Sequence, residues 1–286
     1  MRLKINGEQV SFSLEKEKTL AEVMSGVQAW LGGAGFAITG IKADGQDLLS
    51  VPAGIWGSTA VESVTEIDVQ ALHTADMKVE HWQTLDQWLG MFADEVRAPG
   101  PVLEELLSNL SETVEGIRAN PFLPPGADTL DRFIRLFEGL QPADMRRWSP
   151  EQRQDAAALI GLLREELSKR IADAAQPREA LAKCLSDLRA RVDKLPDVSV
   201  LLQTGRDKAA METVIGFTDT VHSMLSLVPF LPPDAERGRM IADLTPVLRD
   251  LVAAFNAKDS VLIGDLLEYE IAPRMTRLMP LLEGSA

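Results

Sequence analysis

"PFLPP" at Pro121–Pro125 occurs again at Pro229–Pro233, followed by an acidic step each time, "GAD" and then "DAE". Proline lacks the amide donor that a helix needs and clashes with the preceding turn, so each copy is expected to end one helix and start the next. The phenylalanine and leucine between the prolines would pin that corner to a core. If Phe230 is buried, truncating it to alanine would cost about 3–5 kcal/mol. A five-residue match alone arises too readily by chance to decide an architecture, so the flanking register has to be tested.

A shift of 108 places Leu103, Leu106 and Leu107 on Met211, Val214 and Ile215, and Phe133, Leu136 and Leu140 on Ile241, Leu244 and Leu248. All are apolar. "LIG" at Leu159–Gly161 recurs at Leu262–Gly264, now 103 residues on, as one shorter connection between helices would produce. These repeats predict a tandem duplication of a four-helix unit, with copy one over 77–174 and copy two over 177–283. "AAQPR" at Ala174–Arg178 marks the junction, because the residue before a proline is driven out of helix.

From about residue 77 the apolar period is close to 3.6. Trp82, Leu85, Leu89, Phe92 and Val96 line one helical face. Leu103, Leu106, Leu107, Leu110, Val114 and Ile117 line a second, and a longer helix follows Trp148-Ser149-Pro150.

Residues 1–72 have a different texture. "MRLKI" and "EQVSFSL" alternate apolar and polar about Asn6-Gly7, a pair suited to the positive φ angles of a two-residue hairpin turn. Thr19-Leu20-Ala21-Glu22 has capping-box spacing and opens a helix whose apolar face is Leu20, Val23, Met24, Val27, Trp30 and Leu31. "GGAG" at Gly32–Gly35 stops it. With a helix before it and a strand after it, this stretch has the reverse of the order a dinucleotide-binding loop requires. Two further strands are expected in "FAITGIKADG", with a second hairpin signal at Asp44-Gly45, and in "VTEIDVQAL".

Hairpin, helix and further strands over 1–72 resemble a β-grasp, ubiquitin-like fold. The fold class expected for the whole chain is therefore α+β: an N-terminal β-grasp domain followed by the duplicated helical region. A conjugating role would need a free C-terminal Gly-Gly, but here residues 70–72 read "QAL" and run on into the helices. The resemblance leaves the docking or adaptor role that such modules commonly have.

The formal net charge of −14 repels phosphate backbones, so neither nucleic acid nor an anionic membrane is an expected partner. The N-terminus lacks the apolar core of a signal peptide, and no run approaches the length of a membrane span. The single cysteine, Cys184, excludes an intramolecular disulfide and fits a reducing cytoplasm.

Residues with catalytic chemistry are sparse. His73, His81 and His222 fall in three different elements, and none has a ligand at i+3 or i+4 as a helical metal site would need. Cys184 shares a face with Leu181, Leu188, Val192 and Leu195 and reads as a core thiol. No nucleophile elbow, phosphate loop or zinc-protease motif is present. The most distinctive polar stretch is "IGDLLEYEIAP", Ile263–Pro273, where Asp265, Glu268 and Tyr269 fall at i, i+3 and i+4. At an offset of 103, Glu268 matches Glu165, giving a candidate interaction face of Asp265, Glu268, Tyr269 and Glu165.

The expected function is a non-enzymatic, bacterial-type cytoplasmic adaptor acting through protein–protein contact, with another protein or a second copy of itself, and without a cofactor. The alternative is a metal- or small-molecule-binding helical regulator. Tandem-bundle phosphate-uptake regulators resemble this chain in being duplicated and helical, but their Glu/Asp-x-x-x-Asp metal repeats are not evident in it.

Overall fold

The computed structural model describes residues 1–11, 16–120, 122–123 and 127–284. Pro121, Pro124 and Pro125 of the first corner lie outside those residues, as do Phe12, Ser13 and Leu14 of the expected second strand. The fold class is α+β, a five-stranded mixed sheet followed by a mostly helical region. The chain divides into two compact units, Met1–Glu80 and His81–Ala286, each with its own core.

In the first unit, strands β1 (Arg2–Ile5), β2 (Glu8–Val10), β3 (Phe36–Ala43), β4 (Gln46–Asp47) and β5 (Glu66–His73) form one sheet in the order β2-β1-β5-β3-β4. β1 and β5 run parallel and the other pairs antiparallel. Both hairpin turns are as the dipeptides predict, with φ of 52° and 82° at Asn6-Gly7 and 46° and 84° at Asp44-Gly45. The Asn6 side chain also bonds both main-chain groups of Ala71, tying the first turn to β5.

Helix α1 (Leu20–Gly33) starts at the Thr19 capping box. Glu22 accepts from the Lys18 and Thr19 amides, which holds its carboxyl below the usual range. Leu20, Val23, Met24, Val27 and Leu31 are buried against Leu3, Ile41, Ile67, Val69 and Ala71 of the sheet. Trp30 departs from the predicted face and is 56% exposed. At 3.6 residues per turn it sits about 80° from the centre of the stripe, so its ring projects past the sheet's margin. The short helix α2 (Ala53–Trp56) lies between β4 and β5.

Two hydrophobic cores fill the helical unit. One is shared by α3 (Thr74–Arg97), α4 (Leu103–Ser108), α5 (Leu110–Ala119), α6 (Thr129–Phe137), α7 (Pro142–Arg146) and α8 (Pro150–Ala175), and is rich in aromatic rings: Trp82, Phe92, Phe122, Phe133 and Phe137. The second is aliphatic and shared by α9 (Pro177–Val192), α10 (Leu195–Gln203), α11 (Asp207–Leu227), α12 (Ala235–Ala257), α13 (Ser260–Asp265) and α14 (Ala272–Glu283). At the expected junction α8 ends at Ala175 and Pro177 opens α9, a break between two helices. Each half holds more helices than the four expected, because short helices replace some of the connections.

Buried positions of the two halves can be compared at fixed offsets. Trp82, Leu85, Leu89 and Phe92 match Leu185, Leu188, Val192 and Leu195, all buried and all 103 apart. Leu103, Leu110, Val114 and Ile117 match Ala210, Phe217, Val221 and Met224 at 107. The shift of 108 therefore does not hold in the helix before the corner, where Met211 and Ile215 are exposed. Beyond the corner, Leu136 is exposed whereas Leu244 is buried, so α6 and α12 do not keep that register either.

In the last helices Ile160 and Ile263 are buried 103 apart, and then Leu163 and Leu267, and Leu167 and Ile271, are buried 104 apart. The change falls at a π-helical turn, Leu266–Ile271. A π-turn is the insertion of one residue into an α-helix, which accounts for the step.

Candidate functional site

The π-turn alters the predicted interaction face. Asp265 ends α13, while Glu268 and Tyr269 lie within the wider turn, where i, i+3 and i+4 no longer stack as on an α-helix. Asp265 is exposed, Glu268 half-buried and Tyr269 64% exposed. A hydrogen bond to Glu268, reinforced by that carboxylate's charge, raises the Tyr269 phenol above its ordinary pKa. Glu165 is exposed on α8. At the 104 register that holds beyond the step, Glu165 stands opposite Tyr269, and Glu166 opposite Glu270. Among the described residues no group of three or more His, Cys, Asp or Glu is placed to hold a metal ion.

The glutamates after Glu165 and Tyr269 each form an i,i+4 ion pair. Arg170 meets Glu166 at 3.2 Å, and Arg274, 104 residues on, pairs with Glu270 and donates to the Glu270 carbonyl at 2.8 Å. The sequence signal was Glu-x-x-x-Arg occurring in each helical half, and apolar periodicity passes over it. Arg170 is buried. It donates to the Phe122 carbonyl at the first corner and to Ser226 and Ser223 of α11, so one guanidinium joins the two helical halves.

Beside Arg170, a cleft of about 220 Å³ is lined by residues that include Lys169, Lys183, Cys184 and Asp219. Cys184 packs against the aliphatic core and donates to the Thr220 carbonyl at 3.5 Å. Burial, with help from Asp187, pushes its thiol up to about 11, so it is protonated and unreactive at neutral pH. Burial also raises the Asp219 carboxyl, against the opposing pull of Arg191 and His222, and leaves Oδ1 without a hydrogen-bond partner.

The histidines have local roles. His73 Nδ1 accepts from the Ala75 amide at 3.2 Å, with its ring edge-on to Phe36. His81 Nε2 lies 3.2 Å from the Gly116 carbonyl and donates to it. His222 is half-buried on α11.

A groove of about 370 Å³ in the sheet unit lies between β2 and α1, lined by residues that include Leu3, Val10, Val23, Gly26, Val27 and Trp30. Leu3 and Val10 are cross-strand partners, which sets both side chains on the helix-facing side of the sheet. β2 is an edge strand whose one partner among the described residues is β1. The spacing of Val23 and Val27 was legible in the sequence, but the groove was not, because a helical stripe does not say which of its edges the sheet leaves uncovered.

This is thus an α+β protein, a five-stranded mixed sheet followed by a mostly helical region. Two family models match parts of it. Residues 1–73 match the TP0873 N-terminal domain, and residues 181–280 match a domain of unknown function, DUF8042. The first match spans the sheet through β5, and the second lies wholly within the aliphatic half of the helical unit. No curated protein and no solved structure matches the chain. Among the described residues, no helix is long and apolar enough to cross a membrane.

Proposed function

We propose that this chain is a non-catalytic cytoplasmic adaptor: a β-grasp, ubiquitin-like module joined to a tandemly duplicated helical scaffold that acts by protein–protein contact. The β-grasp assignment is supported by the strand order β2-β1-β5-β3-β4, with β1 and β5 parallel and α1 on one face. The duplication is supported by matched buried positions at 103 and 107, by the single-residue step at the π-turn, and by the paired Glu166–Arg170 and Glu270–Arg274.

The observation that carries the adaptor function is Trp30, 56% exposed beside an apolar groove of the sheet unit. Tryptophan is enriched among residues that dominate binding energy at protein interfaces. Native mass spectrometry of the full chain, together with cross-linking in cognate lysate, tests the proposal. A reproducible protein complex of defined stoichiometry is expected. A strictly monomeric chain with no recurrent partner would refute it.

A further inference from the structure

Between the end of α3 and the first half of α8 lies a groove of about 660 Å³. Gln154, Ala157, Ala158 and Gly161 fall at i, i+3, i+4 and i+7, so they share one face of α8 and give the groove a shallow floor. Arg97 and Arg153 also line it, and none of its lining residues is acidic. Arg153 donates to the main-chain carbonyls of Val96, Met145 and Arg146, none of which cancels its charge. Arg97 pairs with Asp94 at 2.9 Å, but both side chains are more than half exposed, where water screens such a pair heavily. Pro150 begins α8, so the positive end of that helix's dipole adds to the same field. In a chain of net charge −14 this groove is locally cationic.

The other helical half shows what covers a glycine at this place. At an offset of 103, Ile160 and Ile263 are both buried, and Gly161 stands opposite Gly264. Helix α10 crosses Gly264 so closely that an added Cβ would lie 2.8 Å from the Ser199 Cβ. Leu195, which begins α10, stands opposite Phe92, but there α3 runs on unbroken to Arg97. Among the described residues nothing comes within 4 Å of a Cβ built at Gly161.

We propose that this groove docks an acidic helix of a partner protein, laid over Gly161 through a small residue, as α10 lies over Gly264 through Ser199. This rests on the adaptor and duplication proposals above and specifies the partner. The helical form and the small contact residue follow from α10, since the distance between packed helices is set by the side chains at their contact. The acidity follows from complementarity: a carboxylate one turn from the contact would face Arg97 or Arg153, and guanidinium–carboxylate hydrogen bonds are among the strong ones. Because the whole chain is acidic, salt screens long-range repulsion and local attraction alike, so exchange of charges is the sharper test.

A display library of stapled single helices, screened on the full-length protein, supplies the probe. Enriched helices should place Gly, Ala or Ser at one position and Asp or Glu one turn away on the same face. A synthetic copy should bind about tenfold more weakly to Gly161→Leu by fluorescence anisotropy, because leucine fills the floor. Leucine is a good helix former, so the melting temperature of that variant should not fall. Arg97→Glu should weaken the same peptide about tenfold, and a lysine in place of one of the peptide's acids should restore binding to that variant. No enrichment, enrichment of basic helices, equal binding by wild type and both variants, or failure of the charge exchange would overturn the inference. So would a concentration-dependent dimer in sedimentation that Gly161→Leu dissolves, since the occupant would then be a second copy. A native complex seated elsewhere on the chain would leave the adaptor proposal standing even then.

Discussion

Arg170, 4% exposed, donates from Nε to the main-chain carbonyl of Phe122 at 3.1 Å, so a buried cation in α8 holds the chain at Phe122. The same guanidinium meets Glu166 and the hydroxyls of Ser223 and Ser226. Removing it leaves those groups poorly satisfied in a medium where each unpaired polar group is costly. Arg170→Ala is expected to destabilise by about 3–5 kcal/mol. The matched Arg274 has a side chain 29% exposed, so water replaces much of its pairing, and Arg274→Ala should cost less than about 1 kcal/mol. Urea unfolding of the two variants checks the contrast. Equal losses would mean that Arg170 is not the tie between the halves.

The two corner phenylalanines should differ as well. Phe122 is 1% exposed in the aromatic core, and Phe122→Ala should cost about 3–5 kcal/mol. Phe230 is half-buried and reaches away from its own half: it packs against the aromatic core, with its ring centroid 6.3 Å from that of Trp82. Leu231 next to it fills the aliphatic core. Phe230→Ala is therefore expected to cost about 1–3 kcal/mol, below the value for a fully buried ring. Differential scanning calorimetry of both variants measures the order. A larger loss at Phe230 would show that contact between the halves outweighs burial within one.

These contrasts indicate how far the sequence could be read. Turn chemistry at Asn6-Gly7 and Asp44-Gly45, the Thr19 capping box, and the stripes from Trp82 to Val96 depend on neighbours within a few residues, and they appear as the dipeptides and spacings predict. Trp30 failed as a core residue because its exposure depends on where the sheet ends, which α1 does not encode. The 108 offset misplaced Met211 and Ile215 because matching apolar letters cannot locate a change of register. For the same reason the grouping of Asp265, Glu268 and Tyr269 assumed an α-helix where a π-turn forms. Arg170 stayed invisible as a tie, since a charged residue buried between two halves is specified by tertiary contacts alone.

Cys184 should be a slow nucleophile. Its thiol is pushed up to about 11, chiefly by burial, from an ordinary value of 9.0. At pH 8 the thiolate fraction then falls about a hundredfold below that of an unperturbed cysteine with that value, and alkylation by iodoacetamide should slow in proportion. Linkage works in the same direction. A thiol raised in the folded state stabilises the fold fully below the unfolded value, and that stability is lost as pH rises through the folded one. Wild type should therefore lose stability relative to Cys184→Ser between about pH 9 and 11, after allowing for their offset at pH 7. Rapid alkylation at pH 8 in the native protein would place the thiol in an exposed or electropositive setting instead.

Gly161 and Gly264 end the two "LIG" tripeptides, yet alanine should act on them with opposite signs. A Cβ at Gly264 would lie 2.8 Å from the Ser199 Cβ and 3.4 Å from its Cα, where α10 crosses α13. Relief requires the two helices to separate, so Gly264→Ala is expected to destabilise by about 1–3 kcal/mol. A Cβ at Gly161 meets nothing within 4 Å, and the residue lies inside α8, where alanine is the better helix former. Gly161→Ala should therefore stabilise by about 0.5–1 kcal/mol. Pairing Gly264→Ala with Ser199→Gly, which removes the opposing Cβ, should recover part of the loss in a double-mutant cycle. No recovery would mean that the close approach at Ser199 is not what Gly264 accommodates.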